Sequence, residues 1–257
     1  MIGSDSCVRV IQITDCHLFA DIQRCSYRDI NPYITLRQVL VHVKALEPDR
    51  VIVTGDLSGD LSGLSYQHFA SLWQQAEIPA ALHILPGNHD QPSLLTQFFS
   101  HEMKWLQAPL RDNNWCLHAL DSHYQGTLGH VSTAQLERLE QQVRAMPDAS
   151  HLVAVHHHPI PCNSWMDKHQ WCNRDAFVAL LEALPQIRLV IHGHVHAELT
   201  FFQGQTQILA CPSTCWQWRH TQEFAVDDQA PGLRLLELHS GGSFNTQIIR
   251  VSHQCNV

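Results

Sequence analysis

Five short apolar runs in this chain each stop at a carboxylate, an amide or an imidazole, and that repetition limits the folds open to it. Residues 8–14 lead into Asp15-Cys16-His17, and residues 51–53 into Gly55-Asp56. Residues 80–85 lead into Pro86-Gly87-Asn88-His89-Asp90, residues 152–155 into His156-His157-His158-Pro159, and residues 189–191 into His192-Gly193-His194-Val195-His196. Such runs read as buried strands, and the Pro-Gly and Gly breaks end them sharply. A further strand at 115–120 ends at Asp121.

Helical patterns separate the strands. Residues 32–46 open on Pro32 and carry Ile34, Leu36, Val39, Leu40, Val43 and Leu46 at helical spacing. Residues 62–76 carry Leu64, Phe69, Leu72 and Trp73. Residues 132–146 carry Leu136, Leu139 and Val143 behind a Ser132/Gln135 capping box, and residues 91–99 and 175–184 add two more helical stretches. This alternation predicts an open α/β sheet, in which ligands bind in the crevice beyond the strands' carboxyl ends. All five polar clusters would then face one crevice, with residues 20–31 as a loop over it. Residues 200–210 and 233–251 depart from the pattern and read as hairpins, with turns at Gln203-Gly204 and Gly241-Gly242. No linker, repeat or low-complexity block interrupts residues 1–257, so a single domain is expected.

Composition narrows the function. Hydrophobic residues make up 44% of the chain, enough for a full core. No apolar run reaches the roughly 18 to 20 residues of a membrane span. Residues 1–6 lack the basic and apolar regions of a signal peptide, so a soluble cytoplasmic protein is expected, with no membrane partner. The net charge of −8 argues against a nucleic-acid polymer as partner. It leaves room for a small anionic ligand, because bound cations can invert the local field. The nine cysteines are odd in number and irregular in spacing, which argues against a disulfide framework. No second pair completes a zinc pattern with Cys211 and Cys215, and buried reduced thiols are the simpler reading.

Taken singly, each cluster has a plain explanation as a polar turn, with Asn88 and Asp90 bonding their own backbone. Five at equivalent topological positions are not explained that way. Asp15 and His17, two apart in an extended exit, would point to the same side. Asp56, after Gly55, would project where two cations can share its oxygens. Carboxylate, amide oxygen and imidazole without thiolate suit Mn, Fe or Zn. Two cations roughly 3.5 to 4 Å apart can clamp the attacking and leaving oxygens of an in-line displacement, the chemistry of phosphoester hydrolysis.

Asp-x-His, Gly-Asp, Gly-Asn-His-Asp, His-His and Gly-His-x-His, in this order, resemble the calcineurin-like metallophosphoesterase superfamily. More narrowly, the chain is similar to the bacterial 3′,5′-cyclic-AMP phosphodiesterases of class III (Icc type). That likeness rests on Thr14-Asp15-Cys16-His17-Leu18-Phe19-Ala20-Asp21, on His156-His157-His158-Pro159, and on Ser164-Trp165 with Asp167 and His169. Pro212-Ser213-Thr214-Cys215 and Ala230-Pro231-Gly232 add to it, and the likeness spans about residues 8–250.

The resemblance implies a four-layer α/β/β/α sandwich with the C-terminal hairpins in the second sheet. It implies two divalent metal ions, Fe or Mn by preference and Zn as an alternative. Asp15, His17, Asp56 and His196 would hold one ion, and Asp56, Asn88, His156 and His194 the other. His89 would be catalytic and face the substrate phosphate, beside His17, Asp56, Asn88, His156, His194 and His196. His157 and His158 read as structural, and His192 as pointing back into the sheet. Related phosphatases often carry an acid three residues after the shared Asp to pair with the catalytic His. Here that position is Gly59, with Asp60 one later. The implied reaction is attack of a metal-bridging hydroxide on cyclic AMP, with His89 stabilising charge or protonating the leaving 3′ oxygen, to give 5′-AMP. Other readings are another small phosphodiester, cyclic nucleotide or pyrophosphate as substrate, or a non-catalytic scaffold on the same fold. Residues 159–171 and 211–219 should approach the crevice, bringing Trp165, Trp216 and Trp218 either to a purine or into the core.

Overall fold

The structure, a computed structural model, describes residues 6–252. Residues 1–5, most of the stretch read as lacking a signal peptide, and Cys255 lie outside the described residues. The first half runs β1 (Cys7–Ile13), α1 (Pro32–Ala45), β2 (Arg50–Val53), α2 (Gly63–Ala76), β3 (Ala81–Ile84) and α3 (Pro92–Phe99). It continues through β4 (Leu110–Asp112), β5 (Trp115–Ala119), β6 (His123–Gln125), β7 (Leu128–Gly129) and α4 (Thr133–Arg144). The second half runs β8 (Ser150–Val155), α5 (Arg174–Ala183), β9 (Ile187–His192), β10 (Leu199–Gln203) and β11 (Thr206–Ala210). The last strands are β12 (Gln217–Trp218), β13 (Val226–Asp227), β14 (Gly232–His239) and β15 (Phe244–Arg250).

Two sheets carry the fold. The first has the order β15-β14-β1-β2-β3, and the second β10-β11-β9-β8-β5-β4. Strands β1, β2 and β3 are parallel, as are β5, β8, β9 and β11. Alternation along the strands sorts their side chains into three cores. Ile11, Ile13, Val51 and Val53 face α1, α2 and α3, meeting Leu36, Leu40, Phe69 and Leu95. Val10 and Ile52 face the other way and meet Leu152, Ala154, Leu189 and Ile191 between the sheets. Val153, Val155 and Val190 pack against Leu139 and Val143 of α4 and Phe177 and Leu181 of α5. The result is the four-layer α/β/β/α sandwich, each fully buried aliphatic side chain contributing about 1.5–3 kcal/mol.

The structure corrects the sequence reading in several places. The polar clusters end strands of two sheets, not one. Asp15, Asp56 and Asn88 follow strands of the first sheet, and His156 and His194 follow strands of the second. Hairpin β10-β11 lies in the second sheet as expected, whereas β14-β15 extends the first by pairing β14 antiparallel to β1. β3 is an edge strand, so Ala81 is exposed and burial is complete only at Ile84. Leu64, at 50% exposure, and Ile34, at 37%, leave their expected stripes, and Tyr66 is buried on α2 instead. The Ser132 side chain caps α4, but Gln135 does not return the bond. Its amide instead bridges the backbone N–H and carbonyl of Asp121. Cys16, Cys25, Cys116, Cys162, Cys172, Cys211 and Cys215 form no disulfide among the described residues, and Cys7, Cys25 and Cys172 are exposed rather than buried.

Candidate metal centre

Three of the five strand ends turn through left-handed residues that carry donor side chains. Asp15 (φ 54°), His17 (φ 45°), Asp56 (φ 56°), His194 (φ 69°) and His196 (φ 44°) all lie in that region. A non-glycine there costs on the order of 1–3 kcal/mol, and clusters of such strain mark functional sites. Asp15 and His17 therefore converge by backbone reversal, not by the extended exit the sequence suggested. The strain is held by pairing between loops, in which Asp15, His17 and Leu18 donate N–H bonds to the carbonyls of Gly55, Asp56 and Leu57. The loops also pass at glycine-only distances. A Cβ at Gly87 would lie 2.1 Å from Asp56 Oδ1, and one at Gly193 2.1 Å from Thr14 Oγ1.

Three of the seven expected donors form one buried group. His196 Nε2 lies 3.2 Å from Asp15 Oδ1, and His17 Nε2 3.8 Å from the same oxygen. The two Nε2 atoms face each other at 3.0 Å. On the other side, His156 Nε2 lies 3.1 Å from Asn88 Oδ1 and 3.4 Å from Asp56 Oδ2. Asp56 Oδ2 is also 3.8 Å from His17 Nε2, so this single oxygen reaches both groups. His194 joins by its ring, 5.1 Å from that of His156, and its N–H donates to Asp15 Oδ2 at 3.0 Å.

Backbone carbonyls set the imidazoles. Nδ1 of His156 donates to Thr54 O at 2.7 Å and Nδ1 of His196 to Trp216 O at 2.8 Å, which turns both Nε2 atoms inward. Nε2 of His194 meets the His169 carbonyl at 3.0 Å, leaving Nδ1 as its donor atom. Burial lowers His17 to about 3, against the pull of Asp56, and keeps its lone pair available. Burial and then His157 hold His194 well below the usual range. Burial would raise Asp15 and Asp56, but His196 for the first, and His156 and His89 for the second, hold both low. His156 is pulled down by burial yet taken to about 9 by Asp56, so it carries a proton that a cation would displace. Asp15 Oδ1 is buried without a hydrogen bond. An orphaned carboxylate oxygen among inward imidazole nitrogens fits a divalent cation.

Asp90, to which the sequence reading gave no role beyond a local turn bond, holds two of these loops together. Its oxygens accept the backbone N–H groups of Asp56 (2.8 Å), Leu57 (3.0 Å), Ser58 (3.2 Å) and Gly87 (2.9 Å). Burial and then Asp56 push it up to about 7, while the Gly87 and Ser58 amides pull it down. Asp60 does not reach His89. Its carboxylate accepts from Ala20 N at 2.7 Å and Ser62 N at 3.1 Å. An acid at Gly59 is excluded too, because a Cβ there would lie 2.7 Å from the His17 carbonyl oxygen. His89 instead sets its ring edge-on to His17 at 5.1 Å, and its backbone N–H donates to Asp56 Oδ1 at 2.7 Å. His157 is buried against Ser122, and His192 is buried with Nδ1 on its neighbour's carbonyl, both as expected.

These groups open into a cavity of about 360 Å³. Both predicted loops reach it, with Trp165, Met166 and His169 from one and Trp216 and Trp218 from the other. Trp216 stacks on His17 at 5.3 Å and Trp218 on His196 at 4.8 Å, so each also braces a donor. Trp216 is only 4% exposed and packs with Phe19, Ile30 and Cys215. Sequence reasoning missed Tyr27 and Phe224, which complete the wall although they are 43% and 50% exposed. Exposed aromatics at a cavity mouth are a ligand signal that no local pattern encodes.

The model of the calcineurin-like phosphoesterase family matches residues 8–198. The 3′,5′-cyclic adenosine monophosphate phosphodiesterase CpdA of Escherichia coli K12 is 34% identical over 257 residues, covering 98% of this chain and 92% of that protein. A 3′,5′-cyclic-nucleotide phosphodiesterase of Nostoc is 31% identical over 252 residues, covering 96% and 93%. Among solved structures, a dimetal phosphatase from Danio rerio shares the fold with a TM-score of 0.68 at 14% identity, covering 95% of this chain and 99% of that one.

Proposed function

The chain belongs to the calcineurin-like phosphoesterase family and is a metal-dependent phosphodiesterase, and we propose that its substrate is 3′,5′-cyclic AMP. The observation that carries this reading is the buried Asp–His–Asn cluster at the floor of an aromatic-walled cavity. In it, Asp15, His17, Asp56 and His196 would hold one divalent ion, and Asp56, Asn88, His156 and His194 a second. The oxygen and nitrogen donor set suits Fe or Mn, with Zn as the alternative. The chemistry such a pair supplies is acidification of water and withdrawal of charge from the phosphoryl oxygens.

The chain's own side chains do the rest. Trp165, Trp218, Tyr27 and Phe224 form the cavity's aromatic wall, where a purine would stack and water would be excluded. His89 lines the cavity beside His17 and would meet the phosphate. As water oxygen bonds to phosphorus and the bond to the 3′ oxygen breaks, His89 delivers a proton to that oxygen, leaving 5′-AMP. Asp60 does not orient the His89 imidazole, because that carboxylate is committed to Ala20 and Ser62. No helix among the described residues is long and apolar enough to cross a membrane. Free thiols at the exposed Cys25 and Cys172 fit a cytoplasmic single-domain enzyme.

Aromatic walls accept any purine, so hydrolysis of other cyclic nucleotides is the second reading, in keeping with the broader name of the Nostoc relative. A panel of cyclic AMP, cyclic GMP, 2′,3′-cyclic nucleotides and aryl phosphodiesters separates them. The expected result is a kcat/KM for cyclic AMP about tenfold or more above the others, a discrimination of roughly 1.4 kcal/mol. Equal or higher values for another member would replace the proposed substrate.

A further inference from the structure

A second group of donors sits outside the crevice, between the exit of β8 and the short helical turn Trp165–His169. His158 is fully buried, and its Nδ1 makes no hydrogen bond. Its Nε2 lies 3.4 Å from Asp167 Oδ1, and Cys162 Sγ lies 3.3 Å from the same oxygen. All three donor atoms fall within 4.8 Å of one another. A tetrahedral zinc ion with bonds of about 2.3 Å to sulfur and about 2.0–2.2 Å to nitrogen and oxygen implies donor separations of roughly 3.4 to 3.6 Å. The two distances to Asp167 Oδ1 are close to those edges.

We propose that His158, Cys162 and Asp167 form a further cation site, distinct from the phosphodiesterase crevice and selective for zinc through its thiolate. The crevice donors are all oxygen and nitrogen, whereas this group adds the sulfur that borderline-soft zinc prefers. Asp167 remains 30% exposed, so solvent can reach the ion and fill a fourth position. Burial pushes the Cys162 thiol up to about 11, so binding exchanges the sulfur's proton for the ion and releases it to solvent, with no redox change.

Asp167 also accepts the N–H groups of Cys162 (2.9 Å) and Ser164 (3.3 Å), as a loop cap does. Those bonds hold Asp167 and Cys162 in place, and His158 Nε2 faces Asp167 as an ion pair, but the buried Nδ1 is left without a partner. A bound ion accounts for all three residues. It would clip the loop that supplies Trp165, Met166 and His169 to the cavity, and whose His169 carbonyl holds His194.

Cobalt(II) titration of the full chain tests the site, because only a thiolate ligand gives the near-ultraviolet sulfur-to-cobalt charge-transfer band. The wild type is expected to show the band and to bind one more equivalent than Cys162→Ser, which should lack it. A second measurement needs no variant. Zinc should slow alkylation of Cys162 by about tenfold or more, since a ligated sulfur is masked, while the exposed Cys25 and Cys172 react as before. A wild type without the band, a band unchanged in Cys162→Ser, or an alkylation rate indifferent to zinc would each overturn the proposal and leave Asp167 as a loop cap only. None of these readouts depends on which substrate the crevice hydrolyses.

Discussion

Replacing Asp90 by Asn removes one charge and no volume, and the structure sets the cost. One carboxylate oxygen accepts from Asp56 N and Gly87 N, and the other from Leu57 N and Ser58 N, with the Tyr66 hydroxyl 3.3 Å from the latter. Whichever way the new amide turns, its NH2 group faces two buried N–H donors that lose their acceptor. Each such loss costs about 1–3 kcal/mol, so the change should remove about 2–6 kcal/mol. For a chain of this size, about 2–4 °C of melting temperature per kcal/mol gives a fall of about 4–24 °C. The melt belongs at pH 8, above the value of about 7 for Asp90, so that the wild type carries the carboxylate. Because the broken bonds position Asp56 and the Gly87 turn, bound metal measured on the same samples should fall as well. A melting temperature within about 2 °C of wild type, less than 1 kcal/mol by the same scale, with full metal content, would refute the claim that Asp90 holds the two loops together.

Four further outcomes are expected. Asp56→Ala should lose bound metal and nearly all turnover, and a variant still holding wild-type metal would show that Asp56 is not shared. His89→Ala should keep its metal while turnover falls on the order of 10²-fold or more, as for loss of a general acid; loss of metal would make His89 a ligand instead. Trp165→Ala should raise KM for cyclic AMP about 5- to 150-fold, from roughly 1–3 kcal/mol of stacking, and leave a small aryl phosphodiester unaffected. Equal losses on both substrates would return Trp165 to a packing role. Burial raises Asp60, but the Ala20 and Ser62 hydrogen bonds more than offset it and leave the group lowered. Its stabilisation is present above the unfolded value of about 3.9 and is lost as pH falls below it. The melting gap between wild type and Asp60→Asn should therefore shrink from pH 6 to pH 3 when followed by calorimetry.

Much of the site was legible because strand ends are a local property. A run such as Val51-Ile52-Val53 followed by Gly55-Asp56 states in a few residues both that a strand exists and that a carboxylate leaves it. Tyr27 and Phe224 were not legible, because exposure at a cavity mouth depends on where distant loops come to rest. Asp90 was seen and undervalued, since three of its four N–H donors lie more than thirty residues away.

The sequence by itself determined the strand–helix alternation, the order of the donor residues and the absence of sulfur among those in the crevice, because each follows from neighbours along the chain. Only the tertiary structure decided that the strand ends belong to two sheets, with β14 pairing to β1 and β10-β11 joining β9. Alternation says which side chains are buried, but the same apolar face can pack on a helix layer or on another sheet. Partner choice rests on the summed fit of the three cores. The left-handed backbone at Asp15, His17, Asp56, His194 and His196 was equally beyond the sequence. Isolated peptides disfavour that conformation at such residues, and here the paired loops and the glycine contacts between them hold it in place.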